Sequence, residues 1–144
     1  MKILVLNGPN MNMLGIRQPE IYGHATYQDL VATVEAEAAK LSVDVDFFQS
    51  NHEGDLISAM QQAYLDDVDG IIINPAAYTH YSYAILDALK AVSVPAYEVH
   101  ISDITQREPF RAVSVTAPAC VGQIFGLGFE GYLRAMDYFL EGGT

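Results

Sequence analysis

Residues 3–10 read Ile-Leu-Val-Leu-Asn-Gly-Pro-Asn. Four apolar residues without alternation, stopped abruptly by Asn-Gly-Pro, are the pattern of a strand buried on both faces that runs into a loop. Ile71-Ile72-Ile73, followed by Asn74 and Pro75, repeats it. Further short runs at 43–48, 96–101 and 121–127 are rich in Val, Ile, Phe and Tyr and have strand length. Between the runs lie apolar residues at helical spacing: Leu30, Val34, Ala38 and Leu41, then Leu56, Ile57, Met60, Ala63 and Tyr64. A third set, Tyr83, Ile85, Leu86, Leu89 and Val92, stops before Pro95, and a fourth spans 129–140. Thr26 with Asp29 has the look of a helix N-cap with a first-turn acid.

Strict alternation of strand and helix predicts an α/β fold with a parallel sheet. At 144 residues the chain fits one domain, 1–144. The expected architecture is a single flavodoxin-like, doubly wound, five-stranded parallel sheet, order 2-1-3-4-5, with helices on both faces. Such sheets bind ligands beyond the carboxyl ends of the strands where the winding reverses, between strands 1 and 3. The segments that follow strands 1, 3 and 4 there are 7–10, 74–80 and 98–102, all unusually polar for places that follow buried strands.

Composition narrows the partners. Apolar residues make up 51% of the chain and charged residues 17%, enough for a core and unlike a disordered segment. Seven Lys and Arg against 18 Asp and Glu give a net charge of −11, which repels phosphate backbones and anionic lipid. No nucleic acid and no membrane partner is expected, and no stretch reaches the roughly 18 apolar residues of a span. One cysteine, Cys120, cannot form an internal disulfide, and the amino terminus lacks the long apolar region of a signal peptide. The expected location is the cytoplasm.

Four segments carry candidate chemistry. After strand 1, roughly 18 residues precede the helix at Thr26, against about two to six in an ordinary βα connection. Gly8, Pro9, Gly15, Pro19 and Gly23 are expected to break all regular structure there. Long loops at this end of a sheet are often lids, and residues 11–24 carry Arg17 and Tyr22; a surface excursion is the alternative. In 74–84, Asn74 and His80 offer donors and acceptors, although a lone histidine is more often a structural hydrogen bonder. Glu98 and His100 lie two apart on strand 4, hence on one side, as a general acid with its orienting carboxylate or as a plain ion pair. Arg107 and Arg111 bring two of only four arginines together, and Arg17 is a third; an anionic ligand or internal ion pairing accounts for that clustering. Four histidines without i, i+4 spacing make no zinc site, and neither a dinucleotide fingerprint nor a P-loop is present.

Taken in order, NGPN-x-N-x-LG-x-R-x-P-x-x-YG, NP-x-AYTH-x-S-x-A-x-x-DA, EVHIS, RE-x-FR and GLG-x-x-GY resemble type II 3-dehydroquinate dehydratase, with the spacing kept from Asn7 to Tyr132. The resemblance implies a lyase that dehydrates 3-dehydroquinate by anti elimination through an enolate. It implies no metal and no other cofactor, a small anionic substrate, and a homo-oligomer, a dodecamer built from trimers. By the same resemblance Tyr22 is the base, Arg17 its lid partner, His100 the acid oriented by Glu98, and Asn10 the residue that holds a water on the enolate oxygen. Asn74, His80 and Arg111 match residues that bind substrate hydroxyls, and the backbone amides of Ile101 and Ser102 match those that bind its carboxylate. Arg107 is similar to an arginine beside the tyrosine, and Asp87 to an acid supplied by a neighbouring subunit. The chain departs from the family pattern at Leu86, Asp103, Gln106 and Ala112-Val113. An ordinary phenol is only about 0.1% ionised at neutral pH, and adjacent guanidinium charges favour the ionised form a base needs.

A binding or signalling module of the same fold is the competing class. A receiver needs an acidic cluster after strand 1 and a late lysine, and a flavodoxin needs a Ser/Thr-rich phosphate loop. Here strand 1 ends in Asn-Gly-Pro-Asn, and no lysine follows Lys90.

Overall fold

The two unbroken apolar runs form neighbouring strands at the middle of the sheet. β1 (Lys2–Asn7) and β3 (Gly70–Asn74) pair in parallel, with Ile3 opposite Gly70 and Asn7 opposite Asn74. β2 (Asp44–Gln49) flanks β1, β4 (Ala96–His100) flanks β3, and β5 (Gly122–Phe125) flanks β4. The result is a five-stranded parallel sheet in the order β2-β1-β3-β4-β5, as the alternation predicts. The structure, a computed structural model, describes residues 1–142; residues 143–144 of the expected domain lie outside the described residues. β5 is shorter than the expected run because Gly126, at φ 82°, turns the chain out of extended geometry directly after Phe125.

Among the described residues five α-helices complete the fold: α1 (Pro19–Tyr22), α2 (Tyr27–Lys40), α3 (Glu53–Leu65), α4 (Tyr83–Val92) and α5 (Glu130–Leu140). Side chains alternate across a strand, so each apolar run divides between two cores. Ile3, Val5, Ile72 and Val99 pack under Leu30 and Val34 of α2 and Met136 of α5. On the opposite face Leu6, Ile71 and Ile73 meet Leu56 and Met60 of α3 and Ile85 and Leu89 of α4. Thr26 and Asp29 form a full capping box on α2: each side chain accepts the other's backbone N–H, at 3.1 and 2.9 Å.

The long connection after β1 corrects one expectation, since it is not free of regular structure. It contains a 3-10 turn at Met11–Met13 and the single turn α1. Pro19 is tolerated because it occupies the first helical position, where its missing N–H would have no intrahelical partner. Gly23, at φ 80°, closes that turn by donating its N–H to Pro19 O at 2.8 Å. Met11 and Leu14, both nearly fully buried, anchor the connection in the α2–α5 core. Gly8 fixes its start. Its N–H donates to Asn74 O at 2.8 Å, and a Cβ there would come within 2.6 Å of Pro75 O. Only glycine lets the ends of β1 and β3 approach so closely, and that approach sets Asn10 and the 74–80 segment on one rim.

Candidate active site

The carboxyl ends of β1, β3 and β4 open into one cavity of about 130 Å³, at the switch point the strand order requires. Of the expected site residues, all but Glu98 and Asp87 line it. Segments far apart in sequence are brought there by the register of three adjacent strands. A larger, mainly apolar groove of about 460 Å³ lies between β1, β2 and α3, and none of the expected site residues lines it.

On the loop side of the cavity, Tyr22 presents its phenol oxygen to two guanidinium groups. Arg107 Nη1 donates to it at 2.6 Å and Arg17 Nη2 at 3.2 Å. Arg17 also stacks over the ring at 4.4 Å from its centroid. Two cationic donors aimed at one phenol oxygen stabilise negative charge on it. Arg107 Nε is buried and has no hydrogen-bond partner among the described residues. Arg107 directly follows the 3-10 turn Ile104–Gln106, and Arg111 lies within the next one, Pro109–Ala112. Asp103, one of the departures from the family pattern, caps the first by accepting from Thr105 N–H at 2.9 Å. Arg111 forms a close ion pair with Glu108 and stacks on Phe110.

His100 forms the second reactive group. Its Nε2 lies 2.9 Å from Glu98 Oε2, so the carboxylate fixes the Nε2–H form and leaves Nδ1 as the nitrogen able to exchange a proton with a ligand. Glu98 is completely buried behind it. Burial pushes its pKa up, but hydrogen bonds from His100, Thr116 and Ser114 and the attraction of the imidazole outweigh this and hold the carboxyl below the usual range. The two-residue spacing revealed the pair. The hydroxyl residues around it were not read from the sequence, because they come from the connection before β5 and carry no motif of their own.

His80 Nδ1 lies 2.8 Å from Val113 O. A carbonyl only accepts, so the proton is on Nδ1, and Nε2 is left as an acceptor for a ligand hydroxyl. Partial burial lowers the pKa of this imidazole, with His100 and Arg111 adding to the effect, so the neutral form is favoured. Asn74 is held rather than free. Its Nδ2 donates to Tyr132 Oη at 3.0 Å, and its Oδ1 accepts from Ala76 N–H at 3.0 Å. Tyr132 in turn donates to Asn7 Oδ1 at 2.6 Å, completing a buried polar chain under the cavity floor. Burial raises the Tyr132 pKa, so this phenol is a fixed donor. Tyr132 ends the GLG-x-x-GY motif, which quotes it without revealing that role.

Asn10 occupies the left-handed region, φ 69°, and its N–H donates to Asn51 Oδ1 at 3.0 Å. At Ile101-Ser102 the carbonyls accept from Gly128 and Gly126 N–H, each at 3.1 Å. Because the peptide is planar and trans, the Ser102 N–H points away from the turn that holds the Ile101 carbonyl. Asp87 stands apart: it is exposed on α4 and does not line the cavity of its own chain. Tyr81 and Tyr83, 59% and 67% exposed, lie just before it in the chain. Arg134, the fourth arginine, is exposed on α5 beside Glu130 and away from the cavity.

The chain is similar to known proteins over nearly its whole length. The family model described as dehydroquinase class II matches residues 1–140. The chain is 57% identical to the 3-dehydroquinate dehydratase of Lachnospira eligens, over 98% of this chain and 97% of that protein. It is 58% identical to the protein of that name from Lachnoclostridium phytofermentans, over 98% and 97%. The crystal structure of type II dehydroquinase from Butyrivibrio crossotus superposes with a TM-score of 0.96 at 52% identity, covering 97% of both chains.

Proposed function

The chain belongs to the class II dehydroquinase family, and on that premise we propose that it dehydrates 3-dehydroquinate to 3-dehydroshikimate, a step of the shikimate pathway, by anti elimination through an enolate. The observation that carries the reading is the presence, in one cavity, of a phenol oxygen held by two guanidinium groups and an imidazole backed by a buried carboxylate.

Tyr22, as phenolate, takes the proton from C2 of the substrate, and the C–H electron pair passes to the carbonyl oxygen as an enolate. Arg17 and Arg107 stabilise the phenolate before that transfer. Asn10 holds a water on the enolate oxygen, where a fixed donor contributes about 3–4 kcal/mol by analogy with oxyanion sites. The enolate then re-forms the ketone and expels the C1 hydroxyl, which takes a proton from His100 and departs as water. The substrate loses a proton from C2 and a hydroxide from C1, together one water, so the step is redox-neutral and the scheme needs no cofactor; Tyr22 is left protonated and His100 one proton short, and exchange with solvent resets both. His80, a neutral acceptor, together with Asn74 and Arg111, binds substrate hydroxyls. The amides at Ile101 and Ser102 take the carboxylate, and the unpartnered Arg107 Nε supports an anionic ligand.

Residues 11–24 act in this reading as a lid that brings Arg17 and Tyr22 over the substrate and excludes water. The protein works as a homo-oligomer, a dodecamer built from trimers, in which Asp87 of one copy completes the site of the next. The exposure of Asp87, Tyr81 and Tyr83 on one segment supports that. A single free cysteine fits a cytoplasmic enzyme.

The test is direct. Purified protein given 3-dehydroquinate should produce the absorbance of a conjugated enone. No absorbance at any pH between about 6 and 9 would overturn the assignment.

A further inference from the structure

Glu98 sits at the centre of a cluster in which every neighbour donates. Its Oε1 accepts from the Thr116 hydroxyl; its Oε2 accepts from Ser114 Oγ at 2.8 Å, Gln123 Nε2 at 2.8 Å and His100 Nε2 at 2.9 Å. Behind the two hydroxyls stands Thr79, fully buried, 2.8 Å from Ser114 Oγ and 2.7 Å from Thr116 Oγ1. A hydroxyl has one proton to give. Ser114 and Thr116 spend theirs on Glu98, so the Thr79 proton must point at one of them, and the Ala117 N–H also donates into Ser114 Oγ, at 3.0 Å. The chain of donation therefore runs one way, toward the carboxylate. Oε2, the oxygen that faces His100, already accepts three of these bonds and cannot take a proton without losing one.

We infer that Thr116, Ser114 and Gln123, with Thr79 behind them, are positioning residues that hold Glu98 as a carboxylate and so keep the proton it shares with His100 on the imidazole. The inference rests on the proposed role of His100 as the acid. A carboxylate left with fewer donors is more basic, and the Glu98–His100 pair would then bind its proton more tightly and release it less readily to a leaving hydroxyl. Because the two groups are coupled, the titration belongs to the pair, and losing any donor moves it in one direction only, upward. The other titratable and charged groups facing the pair are His80 and Cys120, with Tyr22, Arg17, Arg107 and Arg111 lining the same cavity. None of them donates to the Glu98 carboxylate, so the cradle acts on it alone.

The test compares Thr116→Val, which keeps the shape but loses the donor, with Thr116→Ser, which keeps the donor, and with Gln123→Leu. In Thr116→Val, kcat for 3-dehydroquinate should fall about tenfold with KM within about twofold. The alkaline limb of its kcat profile should move to higher pH by about half a unit or more, and the His100 ring signals in NMR should titrate upward with it. Thr116→Ser should restore both, and Gln123→Leu should shift both in the same direction. A folded Thr116→Val protein with unmoved His100 titration and an unmoved limb would overturn the inference, as would failure of Thr116→Ser to restore them. Should Thr116→Val not fold, the Gln123→Leu titration decides alone. His100→Ala separates the two levels: full turnover in that variant would sink the acid assignment itself, whereas an inactive His100→Ala beside an unshifted Thr116→Val would sink only the cradle.

Discussion

Arg107 Nη1 donates to Tyr22 Oη at 2.6 Å across 85 residues of sequence. The bond ties the loop after β1 to the loop after β4, so the position of the phenol depends on two segments that share no local structure. Arg17 reaches the same oxygen from only five residues away. The tyrosine is thus held by one local and one long-range cation, and the proposed role as base draws on both.

Replacing Tyr22 by Phe removes the phenol oxygen and leaves the ring over which Arg17 stacks. Turnover of 3-dehydroquinate should fall by at least about a hundredfold, the usual range for losing a general base. Affinity for substrate, measured by calorimetry, should change little. Retained turnover would assign the base elsewhere.

Arg17→Lys and Arg107→Lys keep a charge but lose the planar fork that lets one group both donate to the oxygen and stack on the ring. Each should lower kcat by about tenfold or more, read from the initial rate of enone formation at saturating substrate. Rates close to wild type in both variants would mean that the cations do not tune the phenol.

The Glu98 carboxyl has a lower pKa in the fold than in the unfolded chain. A group depressed in this way contributes stability that is fully present above its unfolded value, about 4.3, and is lost as pH falls through the folded value. Glu98→Gln should therefore melt at a lower temperature than wild type near neutrality, with the gap narrowing on acidification below about pH 4. Thermal melts across that range give the answer; a constant gap would deny the carboxylate its role in stability.

Burial, with Glu98 nearby, pushes the Cys120 thiol up to about 12. Only thiolate attacks a disulfide reagent, so native protein near pH 8 should react with one far more slowly than protein in denaturant. Equal rates in the two states would show that this wall of the β4–β5 region opens readily.

Thr26→Ala breaks the capping box of α2. It should cost about 1 kcal/mol of stability, measured by denaturant unfolding, without altering kcat. An equal loss of activity would mean that α2 and the neighbouring loop are coupled more tightly than their contacts indicate.

The chain's local chemistry announced much of this. Unbroken Ile3–Leu6 and Ile71–Ile73 mark central strands because a strand covered on both faces has no polar side to show. Glu98 and His100 are legible as a pair because a strand places residues i and i+2 on one side. The capping box reads directly from Thr26 and Asp29. The short helix α1 was hidden, since Pro19 and Gly23 look like breakers until one sees that they stand at its first position and its end.

Sequence by itself determined which segments become strands and helices, because hydrophobic period and capping act over a few residues, and it determined which reactive side chains end up beyond the strands. Only the tertiary structure decided their partners. That Arg107 reaches Tyr22, that His80 spends Nδ1 on Val113 and keeps Nε2, and that Thr79, Ser114, Thr116 and Gln123 converge on Glu98 all depend on parallel strands aligned in one register. Hydrogen-bond direction is set by distances of a few ångströms between residues far apart in the chain, and no local pattern encodes such distances.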